Sequence, residues 1–259
     1  MLIGKPGPAV TSISTADAAS VTVRGRDLAG DLMGRLSFTE YFFLLVTGRE
    51  PTAEQRFFLD LLLVAIAEHG LVPTNQAARM TYAADPASLQ GAVAAGILGC
   101  GTVVLGTAEL CGRFLVQARD AGGDPAAAVR RLAAAIRAEG GKVPGFGHPL
   151  HKPVDPRAER ILALAEARGV AGPHAALARA AVPAVSEVWG KPLPMNVSMA
   201  IAAVLLDLGF PETMLKAIPI LARTGGLLAH LAEEQVRPIG FLMASHAEAA
   251  IAYLPGDGT

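Results

Sequence analysis

Cysteine is scarce. Only Cys100 and Cys111 occur in 259 residues, too few for a disulfide framework or a thiolate metal cluster, and a reducing cytoplasm suits such a chain. Charge is scarce too: charged residues make up 17% of the chain, with Lys+Arg 22 against Asp+Glu 23. A net charge of −1 and the lack of any dense Lys/Arg run leave no footprint for nucleic acid. The N-terminal MLIGKPGPAVTSIS has no apolar h-region followed by a cleavage site, so no secretory signal is expected. HExxH, Walker A and GxSxG patterns are missing. Gly145-Phe-Gly147 lacks both the preceding strand and the third glycine of a dinucleotide fingerprint. The six histidines, at 69, 148, 151, 174, 230 and 246, show no tight ligand spacing, so no metal and no permanently held cofactor are expected.

Apolar side chains are abundant, at 52% of the sequence, enough for a substantial core. Gly91 to Ala108 carries no charge over eighteen residues, the lower limit for a membrane span. It is rich in glycine and has no aromatic or basic anchors, so it reads as a close-packed buried helix or helix pair and no membrane partner is expected. VTVRGRDL (21–28) has the alternation of a short strand or loop edge. Ser37-Phe-Thr-Glu40 and Thr52-Ala-Glu-Gln55 match capping boxes opening two helices, the second running to about His69. Further helices fit from Asn75 to about Asp85, 126–139, Asp155 to about 168, 173–188, 195–208 and 211–235. No repeat and no βαβ alternation is visible, and the fold class expected is all-α.

Against this background, GKVPGFGHPLHKPVDPRAERI (141–161) stands out. Its glycines let a backbone approach a ligand closely and leave N–H groups free to donate. His148 follows directly, and Asp155-Pro156 is a good helix start, with Arg157 near the partial positive charge of that terminus. Histidine, cation and helix terminus together suit a carboxylate-bearing or phosphate-bearing small molecule. Read for composition alone, the same stretch is also consistent with a structural loop and a solvated Arg157.

VPGFGHPLHK…DPRAERI resembles the GxGHxxxK…DPR signature of the citrate synthase superfamily, which includes citryl-CoA lyases and the lyase module of ATP-citrate lyase. Four further blocks resemble family segments in the same order: VRGRDLAGDL…SFTEYFFLLVTGREPTAEQ, AEHGLVPTNQAAR, NVSMAIAAVLLDLGFP and LARTGGLLAHLAEEQ…RP. The resemblance spans roughly residues 20 to 240. It implies a large helical domain, 1–109 plus 206–259, with a smaller one, 110–205, inserted and closing over substrate.

The resemblance also implies roles. His69, Arg157, Arg223 and Arg237 fall on positions that grip oxaloacetate or the citryl group, and arginine forks suit carboxylates. Arg237 falls where the family reaches into the neighbouring subunit, which implies a homodimer with shared sites. Val143, Gly145, Gly147 and Lys152 fall on the coenzyme A side of the loop, the coenzyme being part of the substrate. His148 and Ser198 are the expected catalytic pair. Two departures stand out: Ser198 replaces the family's NVD aspartate, and Val104 or a near neighbour occupies the place of a histidine that holds the thioester carbonyl. Losing such a donor costs roughly 3–4 kcal/mol in barrier. Cleavage of a citryl-type CoA thioester is therefore the expected activity, with His148 as base on the tertiary hydroxyl. Condensation of oxaloacetate with acetyl-CoA, or non-catalytic binding of citrate or CoA, are the alternatives. His151 and Lys152 read as a solvated pair, His230 as a hydrogen-bonded structural histidine, and Lys142 and Lys191 as candidate phosphate contacts.

Overall fold

The computed structural model describes residues 9–148, 151–254 and 256, excepting the side chains of Thr102, Val103 and Val104. The chain is all-α apart from one small sheet, and it divides into two compact units, Met1–Asp60 and Leu61–Thr259.

In the first unit, β1 (Ser14–Ala16), β2 (Val21–Val23) and β3 (Arg26–Asp27) form an antiparallel meander, with Ser14 opposite Val23 and Val23 opposite Arg26. Val23 drops from it onto Leu32 and Leu44, a small apolar cluster closed by Leu28, Leu36, Tyr41 and Leu45. Helix α1 (Phe38–Thr47) begins at the expected capping box: Ser37 accepts from the Glu40 N–H and Glu40 accepts from the Ser37 N–H. Thr52 and Gln55 make the same reciprocal pair at the start of α2 (Ala53–Ala67).

The second unit is built from two groups of helices. In one, α3 (Pro73–Ala84) and α4 (Leu89–Val104) pack on α10 (Ala217–Val236), and α11 (Gly240–Ala250) packs on α3. Small residues bring these axes close. A methyl group added at Gly96 would lie 2.7 Å from Leu227 Cδ2, and one at Gly226 would collide with the Ala67 carbonyl oxygen. The uncharged stretch 91–108 is thus a helix pair in a protein core. Gly101 (φ 52°, ψ −157°) kinks α4, and a turn at 105–106 leads into α5 (Thr107–Asp120). Among the described residues no helix is long and apolar enough to cross a membrane.

The other group surrounds α9 (Val197–Asp207), whose residues Met199–Leu205 are all buried. A helix apolar on every side needs neighbours on every side, and α5, α7 (Pro156–Ala167) and α8 (Pro173–Trp189) supply them, with α6 (Pro125–Ala138) packed on α8. Asp207 at the end of α9 accepts from the N–H groups of Gly172, His174 and Ala175, which cap α8, and from the His174 ring. Helix α11 had no counterpart in the sequence reading.

Candidate active site

The 141–161 stretch connects α6 to α7 and is held against the start of α9. The Gly147 N–H donates to the Pro194 carbonyl and the Asn196 N–H to the Gly145 carbonyl, a single antiparallel bridge between Phe146 and Met195. Asn196 caps α9 through the Ser198 N–H and also donates its amide to the Gly147 carbonyl at 3.1 Å. Gly145 has φ 78°, and an added Cβ would lie 2.7 Å from Cys111 Sγ and 2.8 Å from Met199 Cβ. The position therefore demands glycine on both conformational and packing grounds. Burial pushes the Cys111 thiol up, so Cys111 acts as a small apolar support under the loop.

Asp155, fully buried, fastens the other end. Its carboxylate accepts from the Val197 N–H at 3.1 Å, the Arg157 N–H at 3.0 Å and the Arg157 guanidinium at 2.9 Å. Burial works against its charge, but these hydrogen bonds and the Arg157 cation hold its carboxyl below the usual range. The predicted helix cap is thus present and does more: it aims Arg157 and ties the histidine loop to the helix carrying Ser198.

Three imidazoles meet at this junction. His148 and His151 lie with ring centroids 4.3 Å apart, and His69 packs at 5.5 and 5.8 Å from them. One nitrogen from each falls within 4.8 Å of the others. The expectation of a solvated His151 is corrected here: its ring is half-buried in the cluster, and its backbone N–H donates to His148 Nδ1 at 3.0 Å. Linear spacing hid this convergence because His69 comes from the loop before α3, and the step from His148 to His151 fits no metal-ligand pattern.

The surroundings favour an anion in this pocket rather than a cation. Arg157 lies 3.5 Å from His148 Nε2. Burial, then the charges of Arg157, His151 and Arg223, hold His69 below its ordinary value. Burial, then His151, do the same for His148 against the opposing pull of Asp155. Arg223 on α10 is 7% exposed, and its Nε and NH1 have no hydrogen-bond partner among the described residues. A buried guanidinium without a counter-charge carries a desolvation penalty of several kcal/mol, which a carboxylate ligand would offset through a bidentate pair.

A hydrogen-bond network anchored on buried Arg79 and Glu234 sets the His69 loop. Glu68 accepts from the N–H groups of His69 at 2.8 Å and Gly70 at 2.6 Å, and from His230 at 3.0 Å. Burial raises its carboxyl, yet these bonds hold it below the usual range. Arg79, 2% exposed, lies beside His230 Nδ1 and pairs with Glu233 and Glu234, while Glu234 also receives the N–H groups of Ile239 and Gly240. His230 is thus engaged at both ring nitrogens, by Glu68 and by Arg79. Arg79 was missed by the sequence reading, although an arginine on the core-facing side of α3 was a legible signal.

Ser198 is half-buried at the second position of α9, on the helix that the bridge and Asp155 bind to the histidine loop. Arg237 points away within this chain: its side chain is 81% exposed with Glu233 at 3.8 Å. Val143 is 4% exposed. Beside His148 open two adjoining clefts of about 370 and 490 Å³, sharing Gly147, Lys191 and Leu193, with Val143, Lys142 and Trp189 in one and Lys152 in the other. The Val104 side chain lies outside the described residues.

Residues 9–239 match the model of the citrate synthase C-terminal domain. The chain belongs to the citrate synthase family. The citrate synthase of Haloferax volcanii is 31% identical over 203 residues, which cover 77% of this chain and 52% of that protein. That of Saccharolobus solfataricus is 27% identical over 203 residues. The chain thus spans about half the length of the curated relatives it matches. Among solved structures of the family's fold, citryl-CoA lyase from Hydrogenobacter thermophilus superposes with a TM-score of 0.85 at 29% identity, covering 96% of both chains. ATP citrate lyase from Methanothrix soehngenii, in complex with citrate and coenzyme A, superposes at 0.76 with 22% identity, covering 97% of this chain and 42% of that one.

Proposed function

We propose that this chain is a citryl-CoA lyase-like enzyme, cleaving a citryl-type CoA thioester to oxaloacetate, or another 2-oxo acid, and an acyl-CoA. The observation that carries the proposal is Arg223, buried with two unpaired guanidinium nitrogens and acting on His69 at the rim of a three-imidazole cluster. Similarity to a citryl-CoA lyase over 96% of both chains supports the same reading.

In this reading Arg223 and Arg157 bind carboxylates of the citryl group, and His69 and His148 donate to its oxygens. The thioester arm runs past Gly145 and Gly147 into the lysine-lined clefts, where Lys142, Lys152 and Lys191 meet the coenzyme's phosphates. Arg237, already exposed, completes the site of a second copy in a homodimer. Residues 110–205 move as the smaller domain, excluding water from the thioester.

Ser198 supplies a hydroxyl where proton abstraction from a thioester methyl would need a base near neutrality. The hydroxyl weakens this proton transfer in both directions, and cleavage then needs the enolate carbon to take its proton through a relay such as Ser198 or a water. Incubating the purified protein with citryl-CoA and following oxaloacetate release tests the proposal. Release above background supports it. Binding of citrate and CoA with no turnover on several acyl-CoA substrates would replace it with a non-catalytic binding role.

A further inference from the structure

We propose that His151, rather than His148, is the base that removes the tertiary hydroxyl proton of the citryl group and the acid that returns it to carbon. The inference rests on the function proposed above and assigns a residue to its proton transfers.

His148 Nδ1 accepts the His151 backbone N–H at 3.0 Å, while the Arg157 guanidinium faces Nε2 at 3.5 Å; the shorter contact selects the neutral tautomer whose single proton sits on Nε2. That nitrogen can donate to a ligand oxygen but has no lone pair with which to take a proton. Arg157 stands 3.5 Å from it, and a second positive charge so close opposes an imidazolium there. His69 is under the same pressure, from both Arg157 and Arg223. His148 and His69 are thus set up as neutral hydrogen-bond donors.

His151 stands in the same cluster, with one nitrogen of each of the three rings within 4.8 Å of the others. The hydrogen bond that fixes the His148 tautomer also fixes the His151 backbone, and the two rings lie 4.3 Å apart, tilted by 32°. A ligand oxygen held by His148 Nε2–H is therefore within reach of the His151 ring. The titratable and charged groups acting on His148 are His151, Asp155, Arg157 and His69, and those acting on His69 are Arg157, His151, Arg223 and Asp155.

The step balances within the site. The O–H bond breaks and its proton goes to a ring nitrogen of His151. The oxygen's electron pair forms the C=O of the 2-oxo acid as the C–C bond breaks, and that bonding pair leaves with the thioester enolate. The imidazolium proton then passes to the enolate carbon, through the Ser198 hydroxyl or a water, forming the C–H bond of the acyl-CoA and regenerating neutral His151. No outside acid is consumed. Ser198 then needs only to relay a proton, which a hydroxyl can do, and not to supply one.

The test compares wild type, His151→Gln and His148→Gln in citryl-CoA cleavage across pH, with citrate binding by calorimetry as the check on folding. His151→Gln is expected to bind citrate within threefold of wild type, lose about 100-fold or more in kcat, lose the acid limb of its pH–kcat profile, and recover partly with added imidazole. His148→Gln is expected to raise KM and keep the acid limb. A His151→Gln protein with near-wild-type kcat, or one that cannot bind citrate, overturns this role alone while the lyase reading stands. A wild type that does not cleave citryl-CoA overturns both. Long-range nitrogen–proton NMR correlation provides a reading independent of turnover: His148 is expected as the Nε2–H tautomer, and the Nδ1–H tautomer would overturn the assignment.

Discussion

At the scale of single residues, the site among the described residues is a set of positive and neutral donors around one carboxylate, Asp155. That imbalance has a consequence for acidity. His69 and His148 are held below the ordinary histidine value of 6.5, so below about pH 6.5 the unfolded chain takes up protons that the folded chain refuses. Stability therefore falls as pH drops through that region. Thermal unfolding at pH 7.5 and 5.5 should show a smaller drop in Tm for a His69→Gln/His148→Gln double variant than for wild type. Ser198 carries a second prediction. Ser198→Asp places a carboxylate where proton abstraction from acetyl-CoA would occur, and its rate of citryl-CoA formation from oxaloacetate and acetyl-CoA should exceed that of wild type. A carboxylate added to a site already holding Arg157 and Arg223 should cost little stability.

At the scale of elements, the loop works because three fasteners hold it to the start of α9: the Phe146–Met195 bridge, the Asn196 amide on Gly147, and Asp155 on Val197. Gly145→Ala combines a positive φ, costing roughly 1–2 kcal/mol for a residue with a Cβ, with overpacking against Cys111 and Met199 worth roughly 1–3 kcal/mol. Denaturant unfolding should show a loss of about 2–5 kcal/mol, the sum of those ranges. Asp207→Ala removes the acceptor shared by three α8 N–H groups and His174. The loss expected is about 1–3 kcal/mol for each buried donor left without an acceptor, read in the same measurement.

At the scale of the whole molecule, the helices were legible because caps and breakers are local: Ser37, Asp155 and Gly190 end or begin helices where the sequence says they must. The character of the 91–108 stretch was legible as well, since glycines without interfacial anchors suit close helix packing better than lipid. Helix α11 was not. Its residues 240–250 include exposed Phe241 and Leu242, so the apolar periodicity that marks a helix facing a core is blurred. The His151 position was hidden for a different reason, being set by its own backbone bond to His148 and by His69 arriving from 79 residues earlier. Arg157 was legible from its place at a helix start, and Arg223 came from family resemblance alone. What the structure adds is that Arg223 is buried with its Nε and NH1 unpaired among the described residues, where a carboxylate ligand would pair with them. Calorimetric titration with citrate, on wild type and on Arg223→Met, tests that account most directly. Wild type should bind citrate, and Arg223→Met should bind it about 50-fold more weakly, a change of about 2.3 kcal/mol. Equal affinity in the two proteins, or no citrate binding by wild type, would contradict it.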